Sequence, residues 1–255
     1  MKKIGSRQIL NLLALLAMVI INGLANALPL NGQTTGEISD RFRVYFVPAG
    51  YVFSIWGLIY LGLLGFVVYQ LLPAQRDNRR LARVGYWFVL SCLANAVWIL
   101  LWHYEFFPLT VAVMLILLIS LIAIYLRLDI GHERIATAEK WLVDIPFSIY
   151  LGWITVATVA NVTALLSYWN WSGWGISAPA WAAIMLVIAA GIALAVHLTR
   201  RDLAYVLVIV WAFAGIAVKH MATPLVAWTA GLLAVVIAAV GAIRALQRKP
   251  LLCKG

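Results

Sequence analysis

Tyr150, Trp153, Ala157 and Asn161 stand at i, i+3, i+7 and i+11. On a helix that spacing puts all four on one face. Ala157 lets a neighbouring helix or a flat ligand come close. Asn161 carries a donor and an acceptor that an apolar setting would leave unpaired, so it belongs on an inward face. Asn95, Trp98 and Trp102 repeat the i, i+3, i+7 spacing, and Trp56 and Tyr60 stand at i, i+4. Indole and phenol rings present large apolar faces with a polar edge, which suits stacking against a planar hydrophobic molecule. The same faces can pack against one another, and spacing alone leaves both readings open.

Other chemistry is sparse. Asp144 falls three residues after Trp141, either at headgroup level or paired inside, and the structural role is the favoured one. His103 and Glu105 lie in a short connection and read as solvated loop residues, although an acid and a base there could meet a ligand or a proton. His132-Glu133 lacks the second histidine of a zinc-protease helix and also reads as solvated loop. No His, Cys, Asp or Glu cluster has metal-ligand spacing, so no metal site is expected. No phosphate-binding glycine loop or nucleophile elbow is present.

The elements that must position these residues follow from composition. Of 255 residues, 65% are hydrophobic and 11% charged, with a mean hydropathy of +0.97. A soluble domain is roughly 45–50% apolar and about 25% charged. The excess cannot be hidden in one water-soluble core, which leaves a multi-pass helical membrane protein in contact with a lipid bilayer. A transmembrane β-barrel would need alternating segments of about ten residues, and the apolar runs here are unalternated and about twice as long. Eight spans are expected, at roughly 9–30, 50–72, 84–103, 108–127, 141–168, 178–199, 203–220 and 223–244. The few residues around His103, Tyr104 and Glu105 predict a tight helical hairpin between the third and fourth. Cys92 in a span and Cys253 in a basic tail predict no disulfide framework.

Loop charge orients the chain. With the N-terminus in the cytoplasm, sixteen of the nineteen Lys and Arg fall on the cytoplasmic side, and only Arg41, Arg43 and Lys219 on the other. That split supports an even number of spans, with both termini cytoplasmic in a prokaryotic inner membrane. The formal charge of +10 then reads as anchoring to the inner leaflet, not as nucleic-acid binding. Lys2, Lys3 and Arg7, followed by an apolar stretch and Ala25-Asn26-Ala27, resemble a cleavable signal. The apolar run outlasts a usual signal core, so a retained helix is expected. Trp169, Trp171 and Trp174 crowd one interfacial position, with Trp141 and Trp181 near span ends. Polar residues inside spans concentrate before residue 170: Asn22, Asn26, Asn95, Asp144, Thr155, Thr158 and Asn161. This predicts a five-helix functional unit over 1–170 and a three-helix extension over 171–255.

Three segments carry a resemblance. Tyr150-Leu-Gly-Trp153-Ile-Thr-Val-Ala157-Thr158-Val-Ala-Asn161 resembles the fifth-helix signature of the translocator protein, or tryptophan-rich sensory protein, family (TspO/MBR). Pro48-Ala-Gly50-Tyr51-Val-Phe53-Ser-Ile-Trp56-Gly-Leu-Ile-Tyr60 resembles the start of its second helix, and Asn95-Ala-Val-Trp98 its third-helix motif. The resemblance covers about residues 9–170. Tyr51 stands where the family often has Trp, the Phe53–Trp56 interval is one residue shorter, and Tyr168 is not followed by the cation of the family's cholesterol-recognition pattern. The resemblance implies a TspO-like five-helix bundle that binds flat hydrophobic molecules, porphyrins above all, near the loop joining the first two helices. Carried over by motif position, the ligand-binding residues are Trp56, Tyr60, Asn95, Trp98, Tyr150, Trp153, Ala157 and Asn161. It implies a binding or sensing role for a tetrapyrrole and requires no resident cofactor. Light-dependent porphyrin breakdown, with a tryptophan as electron donor, and a permease or transporter subunit stay open, as does a homodimer.

Overall fold

The computed structural model describes residues 5–28 and 30–246. Among them are eight helices of 17 residues or more and no strand. They are α1 (Ser6–Ala27), α2 (Ile55–Leu71), α3 (Trp87–His103), α4 (Phe107–Arg127), α5 (Ile145–Tyr168), α6 (Ala178–Arg200), α7 (Leu203–Lys219) and α8 (Pro224–Leu246). Six of these elements are long and apolar enough to cross a membrane; α3 and α7 are apolar but only 17 residues long. The chain is an all-α polytopic membrane protein. Cys92 is a buried free thiol, while Cys253, Lys2, Lys3 and the last basic residues lie outside the described residues.

Helix ends differ from the sequence reading for local reasons. The first helix stops at Ala27, and a short turn at Leu30–Gly32 follows, with Asn31 at a φ of 58°. The second begins as a 3-10 segment, Gly50–Ser54, and becomes α-helical only at Ile55. Ahead of α5 lie one α-turn, Thr137–Glu139, and a wider π-turn, Lys140–Asp144. Pro146 has no N–H to give the Leu142 carbonyl, and the turn before it widens where that bond is missing. The α3–α4 hairpin is as tight as expected: Glu105 takes a φ of 63° and the Phe106 N–H donates to the Leu101 carbonyl.

One apolar core runs through the whole molecule, from Leu15 and Met18 on α1 to Ala230 and Ile237 on α8. Leu13, Ile20, Leu61, Ile119, Leu232 and Val235 face outward with half or more of their surface exposed, as residues against acyl chains do. The α5 helix lies between α2 and α7. A Cβ at Gly62 would stand 3.1 Å from Pro146, and one at Gly152 would stand 3.1 Å from both the Tyr205 carbonyl and Val208. Larger residues at either glycine would force the helices apart.

The charged loops sort to two ends. At one end Arg7 donates to the Ala82 carbonyl (3.0 Å), Arg200 pairs with Asp129 (2.7 Å), and Arg244 donates to the Leu198 carbonyl (3.1 Å). At the other, Arg41 pairs with Glu105 (2.9 Å) and Lys219 with Asp40 (2.7 Å). Within the basic end Arg80 is 7% exposed and bonds Glu139 (2.9 Å), Asp144 (2.8 Å), Glu133 (3.0 Å) and the Leu128 carbonyl (2.6 Å). Asp144 therefore has the structural role expected of it. Glu133 is not simply solvated, since it also takes Arg83 at 3.2 Å.

Candidate functional site

The α2 residues come first. Trp56 and Tyr60, one turn apart, stack with ring centroids 5.5 Å apart and planes 23° from parallel. Trp56 also meets Tyr150 edge-on at 6.0 Å and Trp153 at 6.2 Å, and Phe53 meets Trp153 at 5.6 Å. Four of the sequence-selected residues thus form one aromatic cluster where the start of α2 crosses the middle of α5. The segment before α2 is held by the far side of the molecule. The Ala49 N–H donates to the Gly215 carbonyl (3.1 Å), the Trp211 indole donates to the Val52 carbonyl (3.1 Å), and a Cβ at Gly215 would collide with Val52. Only glycine lets α7 approach so closely.

A polar chain joins α3 to its neighbours. The Asn22 amide on α1 donates to Asn95 Oδ1 (2.8 Å), and the Asn95 amide donates to the Tyr150 hydroxyl (3.0 Å). One helical turn along, the Trp98 indole donates to Asn161 Oδ1 (2.9 Å), and the Asn161 amide donates to Thr110 Oγ1 on α4 (2.8 Å). Trp98 stacks on Trp102 at 5.5 Å and 19°. Buried amides in an apolar medium need such partners, and here each closes its main demand on a neighbouring helix. The bonds bridge α1, α3, α4 and α5 through side chains.

Burial divides the eight residues. Asn95, Tyr150, Trp153 and Asn161 are buried, whereas Trp56, Tyr60, Trp98 and Ala157 are half-buried. Buried side-chain polar atoms without a partner occur on six described residues, Asn11, Gln70 and His197 among them, and one of the six belongs to this site. The Trp153 Nε1–H is buried without a hydrogen-bond partner among the described residues. An unpaired buried donor costs about 1–3 kcal/mol, so its retention calls for an explanation. Two cavities, one of about 840 Å3 and one of about 410 Å3, lie elsewhere, and none of the eight residues lines either.

The α1–α2 loop caps this region. Its short helix Thr35–Asp40 buries Ile38 against Trp102, Phe107 and Leu165. His103 corrects the sequence reading, because it is fully buried and not solvated. Nδ1 lies 3.0 Å from the Leu30 carbonyl and Nε2 lies 3.0 Å from Thr35 Oγ1. A carbonyl only accepts, so Nδ1 carries a proton and donates it to Leu30, while the threonine hydroxyl can meet Nε2 as donor or acceptor. Glu105, by contrast, is exposed and paired with Arg41. Sequence reasoning left Asn22 and Thr110 out of the site. Asn22 had a signal, an amide inside the first span. Thr110 had only a lone hydroxyl in an apolar run.

A model of the family described as TSPO-like protein matches residues 8–243. The chain belongs to the TSPO-like family. The match runs well past residue 170 and takes in α6 and α7 and nearly all of α8. Membership places this TSPO-like chain among membrane-embedded sensing and binding proteins. No curated protein and no solved structure matches it.

Proposed function

We propose that this TSPO-like protein binds a tetrapyrrole, or a similarly flat hydrophobic molecule, against Trp56, Tyr60, Trp98 and Ala157. Asn95, Tyr150, Trp153 and Asn161 would form the floor behind them. The observation that carries the reading is the unpartnered indole N–H of Trp153 inside an aromatic cluster built from motif positions. A planar ligand with an acceptor at its edge would stack on the half-buried rings and take that N–H. Burying such a ligand in an apolar, aromatic-walled site is favourable by the same physics that buries an aromatic side chain. Residues 1–170 would supply the site. Residues 171–255 would brace it, since α7 holds the chain just before α2 through Gly215 and Trp211. The protein would sit in an inner membrane with both termini on the cytoplasmic side, where the basic end of the bundle meets anionic lipid.

The test is a side-by-side titration of the purified full chain with protoporphyrin, haem and a sterol, followed by tryptophan fluorescence. Saturable quenching by the two tetrapyrroles, with the sterol failing to compete, supports the reading. Quenching that rises linearly, as in empty detergent micelles, overturns it.

A further inference from the structure

The larger cavity, of about 840 Å3, is a groove between α2, α5 and α7. It is separate from the aromatic cluster described above. Its walls are apolar along the membrane part, with Leu58 on α2 and Leu207 and Trp211 on α7. Its mouth is charged, with Lys140 and Arg201 beside the exposed indole of Trp141. Trp211 lies eight residues into α7, about 12 Å along the axis. A hydrocarbon core is about 30 Å thick. The groove therefore begins at the interface on the basic side and ends near the middle of the bilayer, the reach of one leaflet's acyl chains.

Three carboxylates, Glu133, Asp144 and Asp202, and two cations, Lys140 and Arg201, line the mouth, and the exposed lysine is the group open to a headgroup. The carboxylates that line it are already engaged by the protein. Asp144 and Glu133 are held by Arg80 at 2.8 and 3.0 Å. Asp202 accepts from the Tyr125 hydroxyl at 2.9 Å and from the Tyr205 N–H at 3.1 Å. Lys140 is exposed and has no partner among the described residues. A cation at headgroup level beside an apolar groove between helices is suited to an anionic lipid. We propose that this groove is a binding site for one anionic phospholipid, its headgroup against Lys140 and one acyl chain lying between α2 and α7 as far as Trp211. Because α7 forms one wall, the first five helices cannot build this site alone.

The test uses the full chain reconstituted with equal amounts of phosphatidylglycerol and phosphatidylcholine carrying identical chains. Lipids retained after extraction are counted by native mass spectrometry. The wild type should keep one phosphatidylglycerol in preference to phosphatidylcholine. One lysine near the surface changes that preference about fivefold. Lys140→Gln should lose it while Lys140→Arg keeps it, and Lys140 is exposed enough for both variants to fold. Ala204→Phe, on the α7 wall, should reduce retention of both lipids. Equal retention of the two lipids by the wild type overturns the proposal. So does a preference that survives Lys140→Gln, or retention untouched by Ala204→Phe in a variant that elutes as the wild type does.

Discussion

At the scale of single residues, the polar groups inside this bundle fall into two kinds. Most are closed pairs. Asn161 takes the Trp98 indole and gives to Thr110, and Asn95 links Asn22 to Tyr150. The Trp153 N–H is open. Trp153→Phe keeps a ring against Phe53 and Trp56 and removes a donor that no group among the described residues accepts. Losing the unpaired donor relieves about 1–3 kcal/mol and losing the indole's second ring costs a similar amount, so its thermal stability without ligand should stay near that of the wild type. Its affinity for protoporphyrin should fall about tenfold, a loss of roughly 1.4 kcal/mol. A large loss of stability would mean that the N–H serves the fold. A second residue responds to pH. His220, at the end of α7, gives Nε2–H to the Val47 carbonyl (3.2 Å) and packs on Tyr45. Burial, aided by neighbouring Lys219, holds its pKa below the ordinary value of 6.5. The folded state thus favours the neutral ring. That contribution is present above the unfolded pKa and is lost as pH falls below it. Measured against His220→Gln, the wild type's melting temperature should hold above pH 7 and fall below about 6.5.

At the scale of elements, most of the helix pattern was legible because twenty-residue apolar runs admit few other structures. The tight α3–α4 hairpin was legible from the shortness of its connection. Helix starts were less so. The 3-10 start of α2 depends on α7, which approaches through Gly215 from more than 150 residues away, and no local signal announces it. His103 was misread for a similar reason. Its partners, Leu30 and Thr35, belong to a loop that folds back over the end of α3. The paired spacings on α2 and α5 did announce the aromatic cluster, because a helix fixes which side chains share a face. Which helices would meet was not written there. The π-turn before α5 carries its own prediction. Arg80 holds Glu139 and Asp144 against the connection between α2 and α3. Arg80→Ala would leave buried carboxylates without their cation and should destabilise the protein by about 3–5 kcal/mol. Unfolding in a denaturing detergent, compared with Arg83→Ala at the exposed rim, measures it; equal small effects would contradict a buried lock.

At the scale of the whole molecule, the even helix count and the sorting of basic residues to one end argue together. Reporter fusions after residue 80, after residue 135 and at the C-terminus should read cytoplasmic, and a fusion after residue 172 external. A cytoplasmic signal at 172 would contradict eight crossings. The family match over residues 8–243 and the larger apolar core, which runs from α1 to α8, both take in the last three helices along with the first five. The contact of α7 with the chain ahead of α2 gives that helix a means of shaping the aromatic cluster. The central claim remains that this cluster receives a planar ligand, and Ala157 is the place to test it. It is half-buried, it shares a face with Trp153 and Asn161, and a larger side chain there would occupy the space a flat molecule needs. The measurement is the affinity of the purified full chain for protoporphyrin by tryptophan quenching, wild type against Ala157→Phe. Binding should be saturable in the wild type and about tenfold or more weaker in the variant, while its melting temperature and elution stay as in the wild type. Unchanged affinity in a variant that folds normally would contradict the central claim.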